Sequence, residues 1–335
     1  MTLSSGKNND ITDVPGVRVG HVTLYKKLNE QDTICTGVTA ILPHENNLFT
    51  YKTPAASHVI NGYGKTAGLI QINELGLIES PIMLTNTFSV GPVLQGTLTY
   101  MLDENPDIGD STSSINIVVG ECNDGYLNSM RLQAIEPRHA IQAITQATTG
   151  PIQQGAIGAG KGMVCFGYKG GIGSASRLVP FEDKHYTVGV LVLSNFGKKE
   201  HALFKNFPHG QNDLPDGSIM IIIGTDAPLY DRQLKRLAKR ATAGLARTGS
   251  IIANGSGDIA IAFSNAQHLH HSKETPFDSY TFIRDDQSLM EVIFQAVIEA
   301  TESAIIHSLI HAETTEGRKG RVIEKAPLQN DKGVQ

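Results

Sequence analysis

The apolar positions of this chain fall in short runs separated by polar, glycine-rich punctuation, and the densest run sets the plan. Ile219, Met220, Ile221, Ile222 and Ile223 are consecutive, which predicts a strand buried on both faces rather than wetted on one. A turn at Pro215-Asp216-Gly217 precedes it, so Ser218 stands where a turn enters a sheet. Gly224-Thr225-Asp226 and Pro228 follow as a helix start, with Asp226 as its cap. Leu234, Leu237, Ala238, Ala241 and Leu245 then recur at helical spacing, while Arg232, Lys235, Arg236, Lys239 and Arg240 line a solvated outer face.

Elsewhere, residues 17–24, 37–42, 82–84, 115–119 and 187–193 read as strands, and 92–103 and 137–147 as helices. Within 155–173, Met163, Cys165 and Gly167 alternate with Val164, Phe166 and Tyr168, which predicts one strand between loops. Residues 251–253 and 259–263 flank the turn NGSGD and read as a hairpin. The longest helical signal is 287–312, where Leu289, Val292, Ile293, Ala296, Val297, Ala300, Ala304, Ile305 and Leu309 form a wide apolar stripe. Residues 197–215 form a polar loop, and those beyond Glu316 are polar, with order expected to fade at the very end. Strands and helices do not alternate as βαβ units, so the expected class is α+β, sheets packed on each other and covered by helices.

With 335 residues, 40% of them hydrophobic, the chain can bury a large core, and no linker divides it. One catalytic-size domain over 1–335 is expected. A net charge of -5 argues against a nucleic-acid partner. No apolar run is long enough to cross a membrane, and the opening MTLSSGKNNDITD lacks the apolar centre of a signal peptide, so the expected place is the cytoplasm. Cys35, Cys122 and Cys165 form neither a paired framework nor a metal spacing, which fits a reducing compartment.

Several motifs narrow the chemistry. Gly155 to Lys161 resembles a Walker A loop, but Gly162 stands where Ser or Thr must hold magnesium. No Gly-x-Ser-x-Gly elbow surrounds Ser174, Ser176, Ser218 or Ser256. His268, His270 and His271 cluster in HLHHS without a carboxylate or cysteine at ligand spacing, so no metal site is expected; His21 and His139 read as structural. The Gly217-Ser218 bond has two readings. It is a turn glycine before an ordinary serine, or a bond the Ser218 hydroxyl attacks, leaving nucleophile and free amine on one residue. Local pattern leaves both open.

The stretch DGSIMIIIGTDAPLYDRQLKRLAKRATAGLARTGS (216–250), with NGSGDIAIAFSNA (254–266), resembles the DmpA-type aminopeptidases, the L-aminopeptidase/D-Ala-esterase/amidase family that includes β-peptidyl aminopeptidases. ITDVPGVRVGHVT (11–23), LTNTFSVGPV (84–93), VVGECNDGYLN (118–128), GAIGAGKGMVCFGYKGGIGSASR (155–177) and VGVLVLSNFG (188–197) carry the likeness across most of the chain in family order. The resemblance implies an αββα sandwich, layered as in N-terminal-nucleophile hydrolases but wired differently. It also implies self-cleavage between Gly217 and Ser218 into an α subunit, 1–217, and a β subunit, 218–335. Ser218 becomes the nucleophile, Ser256 and Asp258 its supports, and Asn195 the oxyanion donor. Many relatives carry Glu where this chain has the shorter Asp258. An aminopeptidase also needs a carboxylate for the substrate amine: Glu121 matches that role, Asp124 is second choice, Tyr126 a pocket wall, and Asn86 a further candidate. No cofactor is implied. The substrates would be short peptides, amides or esters with a free amine, and the assembly a tetramer of αβ units. Two alternatives remain: an acyltransferase of the ornithine acetyltransferase type, which carries Thr at the cut, and a non-catalytic small-molecule or metal-binding module.

Overall fold

The computed structural model describes residues 2–204, 217–272, 275–286 and 288–328. Pro215 and Asp216 of the expected turn, with most of the 197–215 loop, lie outside them. The first half of the chain supplies strands β1 (Arg18–Lys27), β2 (Thr33–Leu42) and β3 (Tyr51–Gly62), helix α1 (Leu69–Leu75), strands β4 (Leu77–Ile78) and β5 (Ile82–Asn86), and helix α2 (Val90–Glu104). Strand β6 (Val118–Cys122) and helix α3 (Pro137–Thr145) complete that half. A hairpin of β7 (Val164–Cys165) and β8 (Tyr168–Lys169) leads into two long strands, β9 (Gly171–Phe181) and β10 (Lys184–Asn195). The remainder runs β11 (Ser218–Thr225), α4 (Asp231–Arg247), β12 (Gly257–Ser264), β13 (Leu269–His270) and α5 (Ser288–Ile310), then a small hairpin of β14 (Thr315–Glu316) and β15 (Val322–Ile323).

These elements build two sheets. One has the order β1-β2-β5-β6; the other runs β13-β3-β12-β11-β10-β9, with β4 paired to β3. The apolar run of β11 now has its reason. Ile219, Ile221 and Ile223 pack with Leu234, Leu237 and Ala241 of α4 and Ile293 and Val297 of α5. Met220 and Ile222 point the other way, into a layer shared with Ile41, Leu84 and Val118 of the first sheet. On the far side of that sheet, Val38, Met83 and Val119 pack against Val93 and Met101 of α2 and Ala140 and Ile144 of α3. The result is helices, sheet, sheet, helices: the αββα sandwich the resemblance implied. Each wholly buried Ile or Leu contributes about 1.5–3 kcal/mol, so β11, apolar on both faces, is firmly placed.

Three sequence expectations need correction. The expected hairpin of 251–253 with 259–263 does not form: β12 pairs parallel to β11 and antiparallel to β3. Ile252 has φ 53°, a conformation in which a β-branched residue cannot extend a strand. The helix expected to be capped by Asp226 and to start near Pro228 begins at Asp231, because the Asp226 carboxylate instead accepts from the Thr187 N–H at 2.6 Å and fastens β11 to β10. The strand expected across 163–168 folds back at Phe166 and Gly167, both at positive φ, to give the β7–β8 hairpin.

Other side chains also take defined places. His139 accepts from the Glu136 N–H at 2.9 Å and closes the start of α3. The rings of His268, His271 and His270 pack on His44, Phe49 and Tyr51 respectively. The basic face of α4 is less free than the sequence suggested, since Arg232 and Arg236 both pair with Asp285. The three cysteines are free and buried, and burial pushes the Cys35 thiol up to about 11 and that of Cys165 to about 12. Among the described residues, no helix is long and apolar enough to cross a membrane.

Candidate active site

The candidate site forms where three neighbouring strands of the second sheet meet. Ser218 is the first residue of β11, and antiparallel pairing places it directly opposite Asn195, the last residue of β10. On its other side β12 runs parallel, and the N–H of Gly257 donates to Ser218 Oγ at 3.1 Å. A backbone donor held by a sheet fixes the hydroxyl oxygen without taking its proton, which stays available to a base. Ser218 is only 6% exposed.

The residues flanking Gly257 engage each other. Ser256 Oγ donates to Asp258 Oδ1 at 2.5 Å. Burial raises the Asp258 carboxyl to about 6, opposed by the Ser256 hydroxyl and the Ile219 backbone N–H.

Asn195 is held at both ends of its amide. Oδ1 accepts from the Val164 N–H at 2.8 Å, and Nδ2 donates to the Asn123 carbonyl at 2.9 Å. An amide nitrogen carries two protons, so one remains. Nδ2 lies 3.1 Å from where a Cβ on Gly217 would stand. That same Cβ would come 1.6 Å from the Asn195 carbonyl oxygen. Position 217 therefore accepts only glycine, and an amide proton with no partner among the described residues lies beside it.

Glu121 reaches the same place from the other sheet. It is the last residue but one of β6, which crosses beneath β11 so closely that a Cβ on Gly120 would come 2.6 Å from the Met220 methyl. Its carboxylate accepts from the Lys65 N–H at 2.8 Å and from the Thr87 hydroxyl. Gly64 bridges the remaining gap: a Cβ there would be 3.6 Å from Glu121 Oε1 and 3.7 Å from Gly257 Cα. A cavity of about 230 Å³ opens beside Gly217 and Ser256, walled by Phe196, Ile251 and Asn254.

The other sequence candidates make contacts of their own. Asp124 is fully sealed, with Asn128 donating to Oδ1 at 2.9 Å, and burial raises it to about 7 against the hydrogen bonds of Thr36 and Asn128. A sealed carboxyl cannot meet a substrate amine. Asn86 binds the Thr36 hydroxyl and caps the turn at Phe88. Tyr126 stacks under Arg321. The sequence reading also missed the backbone donors Gly257, Lys65 and Val164. A main-chain N–H leaves no mark in side-chain patterns; the only available signal was the glycine of NGSGD itself.

Comparison with known proteins identifies the family. Peptidase family S58 matches residues 9–323. The chain is 39% identical to the β-peptidyl aminopeptidase BapA of Sphingosinicella microcystinivorans over 96% of this chain and 86% of that one. Among solved structures, the PH0078 protein from Pyrococcus horikoshii OT3 superposes with a TM-score of 0.92 at 49% identity, covering 98% of this chain and 93% of that chain. The L-aminopeptidase D-Ala-esterase/amidase of Ochrobactrum anthropi, described as a variant of the Ntn hydrolase fold, superposes with a TM-score of 0.90 at 32% identity, covering 97% and 93%. With a family match over nearly its whole length, this chain belongs to peptidase family S58.

Proposed function

We propose that this aminopeptidase works through Ser218, made into a new chain end by cleavage of the Gly217–Ser218 bond. The observation that carries the proposal is the pairing of a serine hydroxyl, held by the Gly257 N–H, with a preceding position where Asn195 leaves no room for a side chain. In the first reaction Ser218 Oγ attacks the Gly217 carbonyl carbon. The C–N bond breaks, the proton passes to the nitrogen, and an ester joins Gly217 to Oγ. Water then hydrolyses the ester and frees both ends, 1–217 and 218–335. Before the cut, the Ser218 nitrogen is an amide and cannot act as a base; Asp258, raised to about 6 and bonded to Ser256, is the carboxylate best placed to assist.

After the cut, the α-amine of Ser218 has a reference pKa of about 7.7–8.0, so a useful share is neutral near pH 7. It takes the hydroxyl proton as Oγ attacks a substrate carbonyl, then returns it to the leaving amine. The second Asn195 Nδ2 proton faces the developing oxyanion. Replacing Asn195 by alanine is expected to lower kcat by about 10²–10³-fold; an unchanged kcat in initial-rate assays removes Asn195 from this role.

The substrates that fit are short peptides, amides and esters whose free amine is received by Glu121. The names of the relatives support this class: one is called a β-peptidyl aminopeptidase, another an L-aminopeptidase D-Ala-esterase/amidase. The test is a set of aminoacyl p-nitroanilides with free and acetylated amines, assayed with wild type and Glu121→Gln. Wild type should ignore the acetylated set, and Glu121→Gln should lose about 10- to 100-fold in kcat/KM on the free set. Equal rates on both sets would overturn the amine-binding role.

A further inference from the structure

We propose that Lys169 is a positioning residue for Asn195, acting through the single peptide unit between Met163 and Val164. This rests on the oxyanion role proposed above for Asn195. Lys169 is wholly buried, and no ion pair joins it to a carboxylate among the described residues. Its Nζ instead donates to three backbone carbonyls: Gly160 at 2.9 Å, Met163 at 2.7 Å and Gly170 at 2.7 Å. Three acceptors match the three protons of an ammonium, where a neutral amine would offer two. Burial lowers the group to about 7, with Asp124 and Cys35 opposing and Lys161 reinforcing the shift.

The Met163 carbonyl and the Val164 N–H are the two ends of one peptide plane. The ammonium draws charge onto that carbonyl oxygen, which leaves the N–H a stronger donor. The N–H meets Asn195 Oδ1 at 2.8 Å. Acceptance there polarises the side-chain amide in turn and strengthens Nδ2, whose one proton is committed to the Asn123 carbonyl and whose other, with no partner among the described residues, lies beside Gly217. Two further effects are geometric. The Val164 donor fixes which end of the amide is oxygen, and the three carbonyl contacts hold residues 160–170 so that this donor stays in place. A purely structural tie would hold the same loop but would leave Asn195 no better as a donor.

The two roles separate in kinetics. Lys169→Met keeps an unbranched stem one atom shorter and removes the charge; counted per processed molecule, kcat should fall by about 10-fold, less than the loss of Asn195 itself, with KM within about two-fold of wild type. The Lys169→Met, Asn195→Ala double variant should be no slower than Asn195→Ala alone, because both changes act on one donor. Val164→Pro removes the intervening N–H and keeps the ammonium, and should reproduce the kcat loss. A folded Lys169→Met enzyme with wild-type kcat, or losses that multiply in the double variant, overturns the proposal. A Lys169→Met chain that cannot fold assigns the lysine to stability and also overturns it, unless Val164→Pro shows the expected loss. Activity surviving in Ser218→Ala would instead defeat the underlying assignment of the site.

Discussion

Replacing Ser218 by alanine should abolish cleavage of the chain and lower turnover by about 10⁴-fold or more. The size of the loss follows from two duties falling on one residue. Its hydroxyl is the attacking group, and its nitrogen, once freed, is the base that activates that hydroxyl. The variant should still fold. The serine is a small side chain at the entrance of β11, and the strand is placed by Ile219 to Ile223, which are buried on both faces. Thermal unfolding measured beside activity separates the effects: an unchanged midpoint with no turnover is the expected pair. Hydrolysis surviving in a folded Ser218→Ala enzyme would place the nucleophile elsewhere.

The second large effect is expected one residue earlier. Gly217→Ala changes no functional group, yet the added methyl would stand 1.6 Å from the Asn195 carbonyl oxygen and 2.6 Å from its carbon. Backbone cannot yield to such an overlap cheaply, because Asn195 is locked to Ser218 in register and its amide is held at both ends. The Gly217 carbonyl must therefore move relative to Ser218 Oγ and the Asn195 donor. A misplacement of about 1 Å in a reacting pair costs on the order of 10²-fold in rate. Cleavage followed over time on denaturing gels should show an intact Gly217→Ala chain accumulating while wild type is cut. Cleavage at the wild-type rate would mean that the crowding at position 217 has no part in the reaction.

How far the sequence disclosed all this depends on what each element buries. Strand β11 and helices α4 and α5 were legible because a strand apolar on both faces and a helix with a wide apolar stripe leave periodic marks. Strands β3 and β9 were not read. Strand β9 begins GIGSASR, small residues with little strand propensity, and the reason is spatial. A Cβ on Gly173 would come 1.9 Å from the Ala304 carbonyl, so the small residues let α5 lie directly on the sheet. Packing chose those residues, and packing is invisible to local pattern. The hairpin expected around NGSGD failed for a related reason: Ile259 to Phe263 is buried throughout, and such a strand needs neighbours on both edges rather than a short partner of its own.

The site divides along similar lines. Residue by residue, Ser218, Ser256, Asp258, Asn195 and Glu121 were ordinary turn and strand-end positions, singled out only by family likeness. Their convergence comes from strand pairing: Asn195 meets Ser218 through the register of β10 on β11, and Gly257 meets it through β12. Glu121 arrives from the opposite sheet, a relation no local window contains. Asp124 stood three residues away in the same block and has a different fate, because β6 ends at Cys122 and the chain then turns into the sealed pocket of Thr36 and Asn128.

Mass spectrometry of the active enzyme under denaturing conditions tests the central claim most directly. The account predicts two polypeptides whose masses sum to the whole chain plus one water, the smaller beginning at Ser218. A preparation at full specific activity that contains only the unbroken chain would contradict it.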